Sequence, residues 1–191
     1  MNSKTTKALL TSGTLLIAAV INMAHADNLS GEPHDVPVSS VKHIDLPQYL
    51  GKWYEIARLP MFFERRCADN VTATYSLNPD ASIKVNNQCR KENGKVMQSI
   101  GEAEPTDASN ARLSVTFLPT WLRWTELAKA PYWILKIDEH YTTALVGNPD
   151  HRYLWILSRT PQIDSATYQA YVQEAQRQGF DTRKLIVTKQ Q

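Results

Sequence analysis

The cysteines and the histidines are the side chains of this sequence whose types could do chemistry. Cys67 and Cys89 are the two cysteines of the chain, and such an even pair favours a disulfide in an exported protein. Four of the five histidines lie beyond residue 26 and are scattered along the sequence: His34, His43, His140 and His151. They have neither the spacing of a zinc site nor a plausible cysteine partner, and we find no nucleophile elbow or phosphate-binding loop. We therefore expect no catalytic residue, no metal site and no cofactor, with an enzyme kept as the main rival class.

The first 26 residues have the pattern of a secretory signal peptide. Lys4 and Lys7 precede an apolar stretch over residues 8–21, and Ala24-His25-Ala26 is a small-x-small cleavage site. We expect a signal peptide over residues 1–26, a polar leader over 27–42 and one domain over 43–191. An uncleaved anchor is the alternative, but the apolar stretch is short for a membrane span. Export to an oxidising compartment would allow the disulfide to form.

The charge composition argues against a nucleic-acid partner. The chain has 21 Lys and Arg against 19 Asp and Glu, without a basic cluster. We therefore expect no nucleic acid and no purely electrostatic membrane binding. Nothing in the sequence indicates the oligomeric state.

The middle of the chain alternates short segments of β-branched and aromatic residues with turn residues, which is typical of strands. The predicted strands cover about residues 52–59, 70–77, 82–89, 95–104, 111–118, 131–138, 141–147 and 153–159. Close spacing of this kind indicates an antiparallel meander. A sandwich fits the pattern, but a closed up-and-down barrel leaves no exposed edges.

One strong helix follows the strands. Asp164 is its predicted N-cap and Gly179 its predicted end. Its apolar stripe repeats at helical spacing: Tyr168, Tyr171, Val172 and Ala175. The segment 153–159 is apolar on both faces, which favours a helix lying against the outside of a barrel. Residues 184–188 are a candidate for one last short strand.

Two distant motifs resemble those of the lipocalin family. Gly51-Lys52-Trp53-Tyr54 matches the first lipocalin signature, Gly-x-Trp-Tyr, and Arg159 at the end of a late strand matches the third. The second signature matches poorly, at Asp138-Glu139-His140-Tyr141. Further stretches resemble the bacterial outer-membrane lipocalins, and residues 130–135 resemble apolipoprotein D. Many bacterial members carry an acylated N-terminal cysteine; this sequence has none at the predicted cleavage site, so we do not expect a covalent anchor.

The resemblance implies an all-β fold, an eight-stranded antiparallel up-and-down barrel with one C-terminal α-helix packed outside. If Trp53 begins the first strand at the closed end, alternating strand direction returns Arg159 to that end. A guanidinium stacked on an indole is a contact of about 0.5–2 kcal/mol. In the family this pair plugs the base, so we expect it to act in stability rather than in ligand choice.

An eight-stranded barrel leaves an interior wide enough for one small ligand. Side-chain alternation puts mostly aliphatic and aromatic residues on the inner faces. The resemblance to apolipoprotein D places five residues in the pocket: Tyr75, Asn87, Phe117, Tyr132 and Trp155. Each alone is more readily a core residue, but together in a cup-shaped fold they favour ligand binding. A lining with few polar groups suits an acyl chain or another flat apolar molecule.

The segment 118–130 lies at the open end by the same alternation of strand direction. Besides Leu118 and Leu127, it carries three large apolar residues, Trp121, Leu122 and Trp124, among basic ones. We expect these three to contact a membrane surface, where tryptophan is enriched, with a lid over the pocket as the alternative. Strand direction also puts Cys67 and Cys89 at this end, provided that the loop before Val71 folds back.

These observations lead to one functional interpretation. We expect an exported lipocalin, periplasmic and at most peripheral on the outer membrane, that carries fatty acids or lysophospholipids in its barrel. Its role in maintaining the cell envelope is implied by the resemblance. The alternatives are a carrier of haem, a pigment or a sterol, or a lipocalin enzyme.

Overall fold

Nine strands and two helices make up the computed structural model, which describes residues 36–122, 125 and 128–191. The predicted signal peptide, His34 and Trp124 lie outside the described residues. The strands are β1 (Gly51–Arg58), β2 (Asp69–Leu77), β3 (Ile83–Arg90), β4 (Val96–Pro105), β5 (Arg112–Thr116), β6 (Ala130–Ile137), β7 (Thr143–Gly147), β8 (Leu154–Ser158) and β9 (Ile186–Val187). The helices are α1 (Leu46–Tyr49) and α2 (Ser165–Arg177), and neither is long and apolar enough to cross a membrane.

Strands β1 to β8 form a closed antiparallel barrel. Each strand pairs with the next in the chain, and β1 pairs with both β2 and β8. Trp53 lies opposite Ala73 on one side, and Glu55 lies opposite Leu157 on the other. Strand β9 pairs with the second half of β1 as an extra strand. The predicted barrel and last short strand are therefore confirmed, and the sandwich alternative is wrong.

Apolar residues form one core inside the barrel and another outside it. On β8, Trp155 and Leu157 belong to the inner cluster, whereas Leu154 and Ile156 pack outward with α2. Helix α2 covers them with Tyr171 and other residues of its apolar stripe. Strand β8 is thus buried on both faces, as its sequence predicts.

Helix α2 begins and ends at the predicted residues. The Asp164 carboxylate accepts a hydrogen bond from the Thr167 backbone N–H at 2.8 Å. Gly179 has a φ of 83°, a conformation that glycine adopts without strain. The Tyr171 hydroxyl donates to the Thr143 carbonyl at 2.7 Å, which fixes the helix to β7.

The closed end of the barrel is plugged by Trp53 and Arg159. The indole is fully buried and donates to the Tyr49 carbonyl at 2.9 Å. The Arg159 guanidinium carbon lies 3.8 Å from the centroid of the Trp53 rings. Its nitrogens also donate to five backbone carbonyls, those of Gln48, Tyr49, Leu50, Lys52 and Tyr141. The predicted pair is confirmed, and it ties three parts of the chain together.

The glycine of the first motif is required by the arginine of the third. Gly51 has a φ of 95°, and a Cβ atom there would lie 3.3 Å from the Arg159 Nη1 atom. A larger residue would therefore be strained by its backbone and crowded by the guanidinium.

The predicted disulfide joins Cys67 to Cys89, with Cα atoms 5.5 Å apart. A short 3₁₀ turn over Phe62–Glu64 folds the loop before β2 back toward β3. The Cys67 backbone N–H donates to the Glu64 carbonyl at 2.9 Å, and that of Ala68 donates to the Arg90 carbonyl at 2.7 Å. The bond therefore holds the β1–β2 loop at the open end of the barrel, hereafter the mouth.

Candidate ligand-binding cavity

The barrel encloses a cavity of about 680 Å³ that extends from the mouth toward the plugged base. This volume lies within the range of small-ligand sites, about 300–1,000 Å³. All five residues predicted to face the pocket line it: Tyr75, Asn87, Phe117, Tyr132 and Trp155. The structure therefore brings these side chains together, and their contact with a ligand remains a prediction.

The apolar wall comes from alternate residues of several strands. Val85 on β3, Leu113 and Val115 on β5, and Leu157 on β8 all line the cavity and are buried. Phe117, just after β5, is 46% exposed and lies near the mouth. The middle of the cavity is therefore lined by apolar side chains.

The hydroxyls of Tyr75 and Tyr132 form the floor of the cavity, and the hydroxyl of Tyr49 lies behind them. The Tyr132 hydroxyl oxygen lies 2.8 Å from that of Tyr49 and 2.8 Å from that of Tyr75. Burial raises the pKa of Tyr75 to about 12, and burial raises the pKa values of Tyr49 and Tyr132 well above the ordinary value. All three hydroxyls therefore keep their protons at neutral pH. Tyr49, which lies on α1, was not among the predicted site residues.

A buried ionic cluster in the wall was also missed by the sequence prediction. The Arg58 Nε atom lies 2.7 Å from the Glu64 carboxylate and 3.3 Å from that of Glu55. Burial, and then the negative charge of Glu64, raise the pKa of Glu55 well above its usual value. The Trp155 indole N–H donates to Glu64 at 3.3 Å. The cluster fastens the mouth loop to the barrel wall.

More polar groups line the cavity than we expected. Besides Glu55 and Glu64, the lining includes Arg66 on the mouth loop and a polar group on β3 and β4: Asn87, Gln88, Gln98 and Ser99. The buried Oδ1 atom of Asn87 accepts no hydrogen bond from the described residues. An apolar interior with a polar rim fits an amphiphile better than a wholly apolar molecule.

The mouth segment carries two of the three predicted membrane-contact residues within the described chain. Trp121 and Leu122 lie in a 3₁₀ turn over Thr120–Leu122, and Trp121 is 73% exposed. Phe62 on the neighbouring β1–β2 loop is 68% exposed. Membrane contact and the lid both remain predictions.

Among the described residues, the three histidines do not form a site. His43 and His140 are exposed, whereas the His151 ring lies 2.8 Å from the Gln178 carbonyl and packs on Phe180. Across residues 36–122, 125 and 128–191, no group of three or more His, Cys, Asp or Glu side chains is placed to hold a metal ion.

Comparison with known proteins identifies the family to which this barrel belongs. A family model described as a lipocalin-like domain matches residues 44–190. The chain is 42% identical over 155 residues to the outer membrane lipoprotein Blc of Citrobacter freundii, covering 80% of this chain and 83% of the relative. It is 34% identical over 158 residues to apolipoprotein D of Macaca fascicularis, covering 78% and 79%.

The fold is also found among solved structures. Insecticyanin from the tobacco hornworm Manduca sexta superposes with a TM-score of 0.62 at 20% identity, covering 82% of this chain and 85% of its own. At this identity the likeness concerns the fold alone. Given the closed barrel with its plugged base, the matching family model and the two curated relatives, the chain belongs to the lipocalin family.

Proposed function

We propose that the protein is a lipid carrier that stores or transports fatty acids or lysophospholipids. The observation that carries this proposal is the cavity of about 680 Å³, with an apolar middle and a polar rim. An acyl chain gains from burial about 0.8 kcal/mol per methylene group, whereas its head group needs polar partners. Arg66 and Asn87 offer such partners near the mouth, and the free acceptor of Asn87 suits a glycerol hydroxyl.

The setting that we propose is the cell envelope. The relative from Citrobacter freundii is named an outer membrane lipoprotein, and the N-terminus of this chain has the pattern of a secretory signal. We place the protein in the periplasm, at most peripheral on the outer membrane, where it would serve envelope maintenance.

The direct test is to identify what the protein carries. Native mass spectrometry of protein purified from its own host, followed by extraction, should release a fatty acid or a lysophospholipid. A visible absorption band on the purified protein would instead favour haem or a pigment. If neither class of lipid is found and neither displaces a fluorescent fatty acid, the lipid-carrier proposal is wrong.

Phe117→Asp should weaken binding of a fluorescent fatty acid by about tenfold or more, because a charge would face the apolar chain. The matched control is Leu77→Asp, since Leu77 is an apolar strand-end residue that is 56% exposed and does not line the cavity. Both variants should melt near the parent temperature. Equal affinities in the two variants would show that Phe117 does not contact the ligand.

Trp121→Ser should reduce the fraction of protein that floats with liposomes, because an exposed indole at the mouth would partition into the interface. Leu77→Ser, at the opposite end of the barrel, is the control and should float as the parent does. Flotation that is unchanged in Trp121→Ser would leave the lid as the interpretation of this segment.

A further inference from the structure

The tyrosine cluster at the cavity floor has one more proton than it has hydrogen bonds. Three hydroxyls carry three protons, whereas Tyr49, Tyr75 and Tyr132 make two oxygen–oxygen contacts with one another. Each contact uses one proton, so one hydroxyl proton has no acceptor within the cluster. No other acceptor among the described residues is paired with these three hydroxyls.

The spare proton is accessible to a ligand. Tyr75 and Tyr132 both line the cavity, whereas Tyr49 lies behind them, buried against Trp53. The central hydroxyl of Tyr132 can donate in either direction, so the protons can reorient until the spare one faces the cavity. A donor left unpaired in apolar surroundings is unfavourable, and an acceptor on the ligand would remove that cost.

The positive charge of Arg159, behind the floor, also favours a hydrogen-bond acceptor on the ligand. The Arg159 guanidinium lies 3.8 Å from the Trp53 ring centroid. The Tyr49 ring lies next to Trp53, with 5.1 Å between the ring centroids, and the Tyr75 ring lies 5.7 Å from that of Tyr49. This arrangement favours a group with negative partial charge at the floor and disfavours an ammonium group.

We propose that the floor is a polar subsite of its own, which binds one uncharged oxygen acceptor at the buried end of an apolar ligand. The inference rests on the proposed function, since it assumes that a chain enters the barrel with its head group at the mouth. It narrows the ligand class to chains that are oxygenated near the far end, such as keto or hydroxy acids. A keto group is the simplest probe because it accepts a hydrogen bond and cannot donate one.

The test compares hexadecanoic acid with 15-oxohexadecanoic acid as competitors of a fluorescent fatty acid. The parent protein should bind the keto acid about fivefold more tightly, the value of one net hydrogen bond. The carbonyl stretch of the 13C-labelled keto acid should move to lower frequency on binding, because the oxygen accepts a hydrogen bond.

The informative variant is the double substitution Tyr75→Phe, Tyr132→Phe, since either single substitution leaves a cavity-lining hydroxyl. It should abolish the infrared shift and the preference for the keto acid, so that the two acids compete equally with the fluorescent probe. Tyr153→Phe is the matched control, because Tyr153 lines the cavity near the mouth and packs on Phe63. The control should keep the preference.

Each outcome bears on a different claim. Equal binding of both acids by the parent, without an infrared shift, overturns the floor subsite and leaves the lipid-carrier function intact. A preference that persists in the double variant also overturns it. If the parent binds neither acid, the subsite fails together with the fatty-acid part of the proposed function, and carriage of lysophospholipids is decided separately by the lipid extraction. If the double variant does not fold, the parent measurements still test the proposal, because equal binding of the two acids without an infrared shift overturns it.

Discussion

Trp53→Ala is expected to lower the free energy of unfolding by about 3–5 kcal/mol. The indole is fully buried in the inner core, donates to the Tyr49 carbonyl and supports the Arg159 guanidinium. Its removal would leave a cavity at the base and a partly buried charge without its aromatic partner. The expected loss is a large fraction of the stability of an ordinary domain, about 5–15 kcal/mol.

Urea unfolding, followed by circular dichroism, measures this loss. Trp121→Ala is the matched control, since Trp121 is 73% exposed and its truncation should change stability by about 0.5 kcal/mol or less. Ligand affinity should be measured on the folded fraction of Trp53→Ala. A variant that unfolds like the parent but no longer binds ligand would contradict the structural role of the pair.

Removal of the disulfide in the variant Cys67→Ser, Cys89→Ser should lower stability by about 3 kcal/mol. The two cysteines are 22 residues apart in sequence, and the bond restricts the unfolded chain over that loop. It also holds the mouth loop that carries Glu64, so the loss should be accompanied by faster proteolysis between β1 and β2.

Reduction of the parent protein is the natural control for this variant. With excess dithiothreitol, parent and variant should unfold at the same urea concentration, whereas without it the parent should be the more stable. Alkylation of the denatured, unreduced parent should leave its mass unchanged. Two labelled thiols on exported protein would show that the bond does not form in the cell.

The strands could be predicted from the sequence because their alternation and turns are local signals. The sequence prediction ended most strands within one or two residues of their observed bounds, as for β1 and β3. Closure of the barrel could not be predicted this way, since local pattern does not say which edges meet. The resemblance carried by Trp53 and Arg159 supplied that information.

The candidate site was predictable only where it lies on regular strands. Side-chain alternation from Trp53 puts Glu55 on the same face, so this buried carboxyl could have been found. Glu64 comes from a loop and Tyr49 from a helix of one turn, whose positions depend on tertiary packing. The proton count at the floor depends on distances between hydroxyls, which no sequence pattern contains.

The Arg159 plug has a consequence for the order in which the chain folds. Its hydrogen bonds to the carbonyls of Gln48 and Lys52 join residues that are 111 and 107 positions apart in sequence. Contacts of such separation form only after a large loss of chain entropy, which slows folding. Because the chain is synthesised from its N-terminus, Trp53 is made long before its partner Arg159. The Trp53 side of the barrel base is therefore synthesised early, but its contacts with Arg159 are among the last to form.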